Sequence, residues 1–183
     1  LSIKKKISQD LKKITSKREF LRNKKHVLMG ILNMTPDSFS DGGKFNSTQK
    51  AFQKIIQMKK SGAEIIDVGG ESTRPGSKVI NPDIEWKRIG KVIKNFKKKY
   101  RKTCLSIDTR KSQLMINGIK CGVDLINDVS GFEFDKEALQ HLNKYKIPKV
   151  IHHMQGTPET MQINPKYNNV LLDVYDYFDN KIN

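Results

Sequence analysis

Cysteine is scarce in this chain of 183 residues, which contains only two. Cys104 and Cys121 both lie inside apolar segments, where a free cysteine behaves as a small hydrophobic side chain. So low a content excludes a disulfide framework and a cysteine-rich metal site. We therefore expect both to be small buried thiols in a reducing compartment.

Long apolar runs are also missing. No stretch approaches the roughly 20 apolar residues that a membrane-spanning helix needs. The N-terminal segment is charged but lacks the apolar core of a secretory signal. The sequence therefore predicts a cytoplasmic protein without a membrane partner.

Acidic side chains are few beside basic ones, 19 against 35, which gives a net charge of +16. Such an excess invites a nucleic-acid-binding interpretation. The lysines, however, are spread over every predicted helix rather than gathered on one face. We therefore predict no nucleic-acid partner, and we expect the positive field to attract anionic substrates at low salt.

The first 25 residues are lysine-rich and carry few apolar side chains. Ile3, Ile7, Leu11 and Ile14 recur at helical spacing, which is compatible with one short amphipathic helix. We treat residues 1–25 as a basic lead-in segment, distinct from the domain formed by residues 26–183.

Strand-like and helix-like segments alternate about five times from residue 26 onwards. The predicted strands cover 26–33, 63–68, 104–108, 123–127 and 149–154, and the predicted helices about 48–61, 81–100, 112–122, 135–147 and 169–182. This alternation predicts an α/β fold with a parallel sheet and right-handed crossovers. Two architectures compete: an open doubly wound sheet and part of a (β/α)8 barrel. No GxGxxG follows the first strand, which disfavours a dinucleotide-binding fold.

The predicted helices also carry signals for their ends and their buried faces. Asn81, followed by Pro82, is expected to cap the second helix, and Asp135 is expected to cap the fourth. The buried stripe of the second helix is expected to include Ile84 and Ile89, and Val170 and Leu171 are among the apolar positions of the fifth.

The stretch 62–76 joins a short strand to a loop of distinctive chemistry, GAEIIDVGGESTRPG. Gly69 and Gly70 permit a sharp exit from the strand and a close approach of backbone to a ligand. Thr73 and Arg74 then offer hydroxyl, guanidinium and backbone donors, which suit a phosphate or pyrophosphate. The alternative interpretation is an ordinary surface loop with a stray arginine.

Polar residues fall at or just beyond the carboxyl ends of the predicted strands, namely Asn33, Glu71, Asp108, Asn127 and His153. Barrel enzymes assemble their sites at these ends from several strands at once. An open sheet instead concentrates its ligand groups at one switch point. The distribution therefore favours the barrel.

The strand-end residues suggest recognition chemistry as well. A carboxylate and a primary amide, Asp108 and Asn127, can hold the amino–amide edge of a flat heterocycle, although each could simply cap a helix. Asn33 could offer a neutral oxygen to Mg²⁺ or serve as a turn residue. His152 and His153 are adjacent, so they point to opposite sides of a strand and do not pair as metal ligands. We expect one to face the barrel mouth and the other the helices.

Two long loops, LNMTPDSFSDGG at 32–43 and DVGGESTRPG at 67–76, resemble those of the dihydropteroate synthase family. Shorter segments at 107–109, 126–128 and 153–158 continue the match in register, from about residue 26 to the end of the chain. The resemblance implies a barrel that joins 6-hydroxymethyl-7,8-dihydropterin pyrophosphate to 4-aminobenzoate. The products are dihydropteroate, for folate biosynthesis, and pyrophosphate, which leaves before the amine attacks.

The resemblance also implies roles for individual residues. Catalysis falls to Arg74 and Asp108. The implied ligand contacts are Asn33 to a Mg²⁺ on the pyrophosphate, Thr73 and Arg74 to the phosphates, Asp108 and Asn127 to the pterin, and Phe39 and Pro75 to the aminobenzoate.

The resemblance covers only part of the family's barrel, because the family continues for about three further strand–helix units. We therefore expect a (β/α)8 barrel truncated to about its first five units, with little or no activity of its own. One alternative is an inactive remnant of the enzyme. Another is the pterin-binding domain of a folate-dependent methyltransferase, although the loop at 35–43 argues against it. A homodimer is a further expectation.

Overall fold

The computed structural model describes residues 26–35, 44–74 and 76–182. Within these ranges strands and helices alternate as predicted. The strands are β1 Met29–Asn33, β2 Ile65–Gly69, β3 Cys104–Asp108, β4 Leu125–Asp128 and β5 Lys149–Ile151. The helices are α1 Lys44–Lys60, α2 Pro82–Lys99, α3 Ser112–Lys120, α4 Ala138–Leu142 and α5 Val170–Ile182. The predicted lead-in at 1–25 lies outside the described residues, as does the loop at 36–43.

The strands form one parallel sheet whose spatial order follows the chain, β1-β2-β3-β4-β5. An open doubly wound sheet reverses direction at a switch point, whereas a barrel adds each strand beside the last. The described sheet never reverses. Its order is therefore that of a barrel wall, and the predicted architecture is confirmed over these units.

The main hydrophobic core lies between one face of this sheet and the helices. Strand residues such as Ile66, Leu105 and Ile126 pack there against Ile89 of α2 and Leu114 of α3, all of them fully buried. The other face carries a separate small cluster built on Ile65, Cys104 and Leu125. Because the helices cover one face only, the second face is the inner wall of the barrel.

Helix α2 begins as the sequence predicts, but the residue that is buried in its first turn is not the predicted one. The Asn81 side chain accepts a hydrogen bond from the Asp83 backbone N–H at 2.8 Å, and Pro82 occupies the first turn. Ile84 is 50% exposed, so its predicted place on the buried stripe is wrong. The buried position is Glu85, which stands four residues before Ile89 and therefore shares its face.

Helix α4 is shorter than predicted, and Asp135 is not its capping residue. Glu137 precedes the helix without a capping side-chain bond. Asp135 instead accepts the backbone N–H of Ser112 at 2.9 Å and of Glu137 at 3.2 Å. The Asp135 carboxylate thus ties the start of α3 to the turn before α4.

The two ends of the described sheet expose apolar side chains. On β1, Ile31 is 59% exposed, and α5 contains no buried residue. The predicted apolar positions Val170 and Leu171 of α5 are therefore uncovered within the described part of the chain. None of the described helices combines the length and apolar character required to cross a membrane.

Candidate active site

Four predicted strand ends meet in a single row on the inner face. Asn33, Gly69, Asp108 and Asn127 are register partners on successive strands β1 to β4. Gly69 brings its neighbours together, because a Cβ built there would lie 3.3 Å from Asp108 Oδ2 and 3.5 Å from Asn33 Oδ1. The row therefore presents an amide, a carboxylate and a second amide at the carboxyl edge of the sheet.

A second polar layer lies beneath this row. Asn127 Nδ2 donates to Asp67 Oδ2 at 2.9 Å, and His152 Nε2 lies 2.7 Å from Asn127 Oδ1. Asp67 pairs in register with Ser106, and both side chains are buried. Among the residues that the structure describes, none makes a hydrogen bond to Asp67 Oδ1 or to Ser106 Oγ. The floor of the mouth is thus polar and incompletely paired.

The Asp108 carboxyl group has a pKa far above the usual value for an aspartate. Burial raises its pKa to about 8, and the nearby carboxyl groups of Asp67, Asp128 and Glu85 act in the same direction, while Arg110 opposes them. Burial also raises the pKa of Asp67, although the adjacent Ser106 hydroxyl and the hydrogen bond from Asn127 work against that rise. Asp108 is therefore mostly protonated at neutral pH in the ligand-free chain.

The loop after β2 carries the predicted phosphate-binding pair. Ser77 N donates to the Arg74 carbonyl at 3.0 Å, and Arg74 N donates to Ser72 Oγ at 3.3 Å, which shapes a compact turn. The Arg74 side chain is exposed and Thr73 is half-buried. Both side chains are thus available at the rim.

This loop also reaches over the mouth. The backbone N–H of Gly76 donates to the Pro158 carbonyl at 3.3 Å, so the loop after β2 touches the segment that follows β5. The contact joins two of the motifs that carried the family resemblance. It links the loop that carries Arg74 to the far end of the described sheet.

A buried ionic network holds the start of the same loop. Glu71 accepts the Ile80 backbone N–H at 2.9 Å, Arg110 Nε at 3.0 Å and Lys111 Nζ at 2.6 Å, and Lys111 also pairs with Glu85. Burial alone would raise the pKa of Glu71, but these donors outweigh it and lower the pKa. The carboxylate therefore closes the loop from 71 to 80 and ties it to the end of β3.

The adjacent histidines face opposite ways, as predicted. His152 joins Asn127 on the inner face, whereas the His153 ring packs edge-on to Tyr177 of α5 at 4.7 Å between centroids. His153 Nε2 also lies 3.1 Å from the Tyr167 hydroxyl. His152 is therefore the histidine of the mouth.

The predicted site residues divide into three groups. Asn33, Asp108 and Asn127 stand together in the inner row, and Thr73 and Arg74 lie in the loop above it. Phe39 and Pro75 lie outside the described residues. In the described part of the chain, no three His, Cys, Asp or Glu side chains form a group able to hold a metal ion.

Sequence reasoning assigned no role to Asp67, Lys111 or Arg110. Asp67 lies within a strand that otherwise reads as apolar, and a carboxylate there is itself a signal, because burying one is costly. Arg110 and Lys111 reach Glu71 across about 40 residues of sequence, and no local pattern encodes that pairing.

Sequential parallel strand–helix units, with their polar side chains gathered at the carboxyl ends of the strands, define part of a (β/α)8-barrel enzyme. The family can be stated more narrowly. The sequence profile of pterin binding enzymes matches residues 29–183, and the chain belongs to that family.

Several proteins that are similar to this chain are dihydropteroate synthases. Dihydropteroate synthase from Haemophilus influenzae is 41% identical over 157 residues, which cover 85% of this chain and 56% of that protein. The Clostridium difficile dihydropteroate synthase, solved in the presence of pteroic acid, superposes with a TM-score of 0.78 at 39% identity, over 87% of this chain and 58% of that one. The Xanthomonas albilineans dihydropteroate synthase with 4-aminobenzoic acid gives 0.75 at 33% identity, over 85% and 54%. The chain thus spans a little over half the length of its relatives.

Proposed function

We propose that the chain carries the pterin and pyrophosphate part of a dihydropteroate synthase site. The reaction is the condensation of 6-hydroxymethyl-7,8-dihydropterin pyrophosphate with 4-aminobenzoate to dihydropteroate and pyrophosphate. The observation that carries the proposal is the inner row of Asn33, Asp108 and Asn127 beneath the loop of Thr73 and Arg74. The relatives solved in the presence of pteroic acid and with 4-aminobenzoic acid support the same choice of ligands.

The proposed reaction requires side chains that stabilise developing charge rather than a nucleophilic side chain. As pyrophosphate departs, negative charge grows on the leaving group, and the Thr73 hydroxyl and the Arg74 guanidinium are suited to bind it. Positive charge grows on the pterin, and Asp108 is suited to face it. Donors on the pterin edge favour the carboxylate over the carboxylic acid, so binding should lower the raised pKa of Asp108.

Mg²⁺ fits this site only as an ion that arrives on the substrate. Asn33 Oδ1 and Asp108 Oδ2 approach the same point beside Gly69, but the described residues offer no cluster of three ligands. Mg²⁺ commonly keeps several waters and uses few protein oxygens together with phosphates. Asn33 would then hold the ion, which would neutralise charge on the pyrophosphate.

The aminobenzoate site stays a prediction, because Phe39 and Pro75 lie outside the described residues. A homodimer and a cytoplasmic location are likewise retained as predictions. The chain's net charge of +16 favours capture of the doubly anionic substrate tail at low salt.

Calorimetry with the dihydropterin pyrophosphate tests the binding part of the proposal. We expect Asp108→Asn to weaken binding sharply, because it removes the carboxylate charge and replaces one of the two acceptor oxygens with an amide donor that repels the N–H groups of the pterin edge. Arg74→Ala should weaken binding of the pyrophosphate form but not of 6-hydroxymethyl-7,8-dihydropterin. Arg101→Ala is the matched control, since Arg101 is exposed just before β3, at the opposite edge of the sheet. Unchanged affinity in Asp108→Asn would refute the assignment.

A second candidate is pterin binding without synthesis, which requires only the inner row of Asn33, Asp108 and Asn127. Pyrophosphate release with both substrates separates the two functions. Release that requires 4-aminobenzoate supports synthesis by the chain. Tight pterin binding without release supports a binding-only function, and no binding of either pterin refutes both.

A further inference from the structure

A chain of hydrogen-bonding groups crosses the inner face from β5 to β2. It runs from His152 through the Asn127 amide to Asp67, with contacts of 2.7 Å and 2.9 Å. Asn127 is buried, and Asp67 is almost completely so. The amide of Asn127 is thus held from both sides, whereas most surface amides rotate freely.

The two contacts together define which way the amide points. Asn127 Nδ2 faces the Asp67 carboxyl group, so Asn127 Oδ1 faces His152, and the tautomer of His152 that complements this oxygen carries its N–H donor on Nε2. Asp67 alone gives a weaker constraint, because a protonated carboxyl group can donate to an amide oxygen as readily as a carboxylate accepts from an amide nitrogen. The Nε2–H tautomer of His152 adds the second constraint, because an N–H group can only donate and so requires the amide oxygen on its side.

We propose that His152 is a positioning residue that orients the Asn127 amide for pterin recognition. The inference rests on the proposed function, in which Asn127 contacts the pterin edge. With both contacts made, Asn127 keeps one amide N–H and one oxygen lone pair for a ligand. A rotated amide would exchange the donor and the acceptor, and a heterocycle that reads both would lose its match.

The position of His152 explains why it has this task and its neighbour does not. His152 follows β5 on the inner face, in line with Val150, which packs in the inner cluster. His153 turns to the aromatic side chains of Tyr177 and Phe178 on the outer side. Two adjacent residues of one type therefore supply a test residue and a control.

The test compares three variants of the whole chain by calorimetry with 6-hydroxymethyl-7,8-dihydropterin. His152→Leu removes the donor and should weaken binding about tenfold. His152→Gln, whose side-chain N–H reaches a similar point, should restore affinity to within about threefold of the parent. His153→Phe keeps the outer ring contacts and should bind like the parent. Far-UV circular dichroism verifies that each variant is folded.

A double-mutant cycle separates positioning from a general structural role. In an Asn127→Ala background, His152→Leu should cost no further affinity, because the amide that it orients is gone. Equal costs in both backgrounds would overturn the inference, as would unchanged affinity of His152→Leu or a failure of His152→Gln to restore it. If the parent chain binds no pterin, the proposed function fails and this inference fails with it, whereas parent-like binding by His152→Leu overturns the inference alone.

Discussion

Replacement of Asp108 by asparagine should stabilise the ligand-free chain, and the gain should grow with pH. Burial, with help from neighbouring carboxyl groups, raises the pKa of Asp108 from 3.8 to about 8. Below about pH 4 Asp108 is protonated in both the folded and the unfolded chain, so its raised pKa does not change the free energy of unfolding. Between about pH 4 and pH 8 only the unfolded chain ionises, and the folded state loses stability steadily. Asparagine does not ionise and escapes this loss.

The magnitude follows from the size of the pKa change. One pKa unit is worth about 1.4 kcal/mol, so the rise from 3.8 to about 8 bounds the penalty at roughly 6 kcal/mol. Asp108 is only half-buried, and its titration depends on the charges of the nearby Asp67 and Asp128. We therefore expect the variant's advantage to be about 2 kcal/mol larger at pH 8 than at pH 5.

Urea unfolding at about pH 5, 6.5 and 8 gives the free energy of unfolding of each protein directly. Asp176→Asn is the matched control, because Asp176 is exposed on α5, and its effect should not vary in the same way. A stability difference between Asp108→Asn and the parent that stays constant with pH would refute the reasoning. An advantage that shrinks as pH rises would refute it more strongly.

Three further substitutions test how the loop after β2 is held. Glu71→Gln leaves the buried cations Arg110 and Lys111 short of a counter-charge and should cost about 3 kcal/mol in urea unfolding; a loss below about 1 kcal/mol would contradict the network. Gly70→Ala puts a Cβ within 2.9 Å of α2 side chains and should cost about 1–3 kcal/mol; parent-like stability would show that the helix can yield. Asn81→Ala removes the cap of α2 and should cost about 1 kcal/mol, with Asn81→Ser as the control that retains it. Equal loss in both Asn81 variants would argue against the cap.

The sequence predicts the strand positions and the shared edge of the site, because both depend on local patterns. Each strand lies in a short segment that is mostly apolar, and parallel strands align their carboxyl ends at one edge. Asn33, Asp108 and Asn127 were therefore expected to lie close together, and they occupy one register row. Alternation alone permits both an open sheet and a barrel wall, and the polar residues at several strand ends favoured the barrel wall that the strand order confirms.

The failures have one physical origin, which is that burial is decided by distant partners. Ile84 was assigned to the buried face of α2, yet Glu85 is fully buried and Ile84 is half exposed. Glu85 is buried because Lys111, 26 residues away, supplies a counter-charge. A prediction based on the hydrophobic pattern of the helix places such a glutamate on the exposed face. Register and long-range ion pairing, which determine this case, are not written in local sequence.

The contrast between two strand-end acids leads to a last prediction. Glu71 receives two buried cations and its pKa is lowered, whereas the pKa of Asp108 is raised to about 8. A carboxylate with buried cationic partners stabilises the fold. A protonated carboxyl group can instead lose its proton when a ligand donates hydrogen bonds to it. Pterin binding should therefore release protons near pH 7, since N–H donors on the pterin favour the carboxylate. Calorimetry in two buffers with different ionisation enthalpies should give different binding enthalpies for the parent and equal ones for Asp108→Asn. Equal enthalpies for the parent would mean that Asp108 does not ionise when the ring binds.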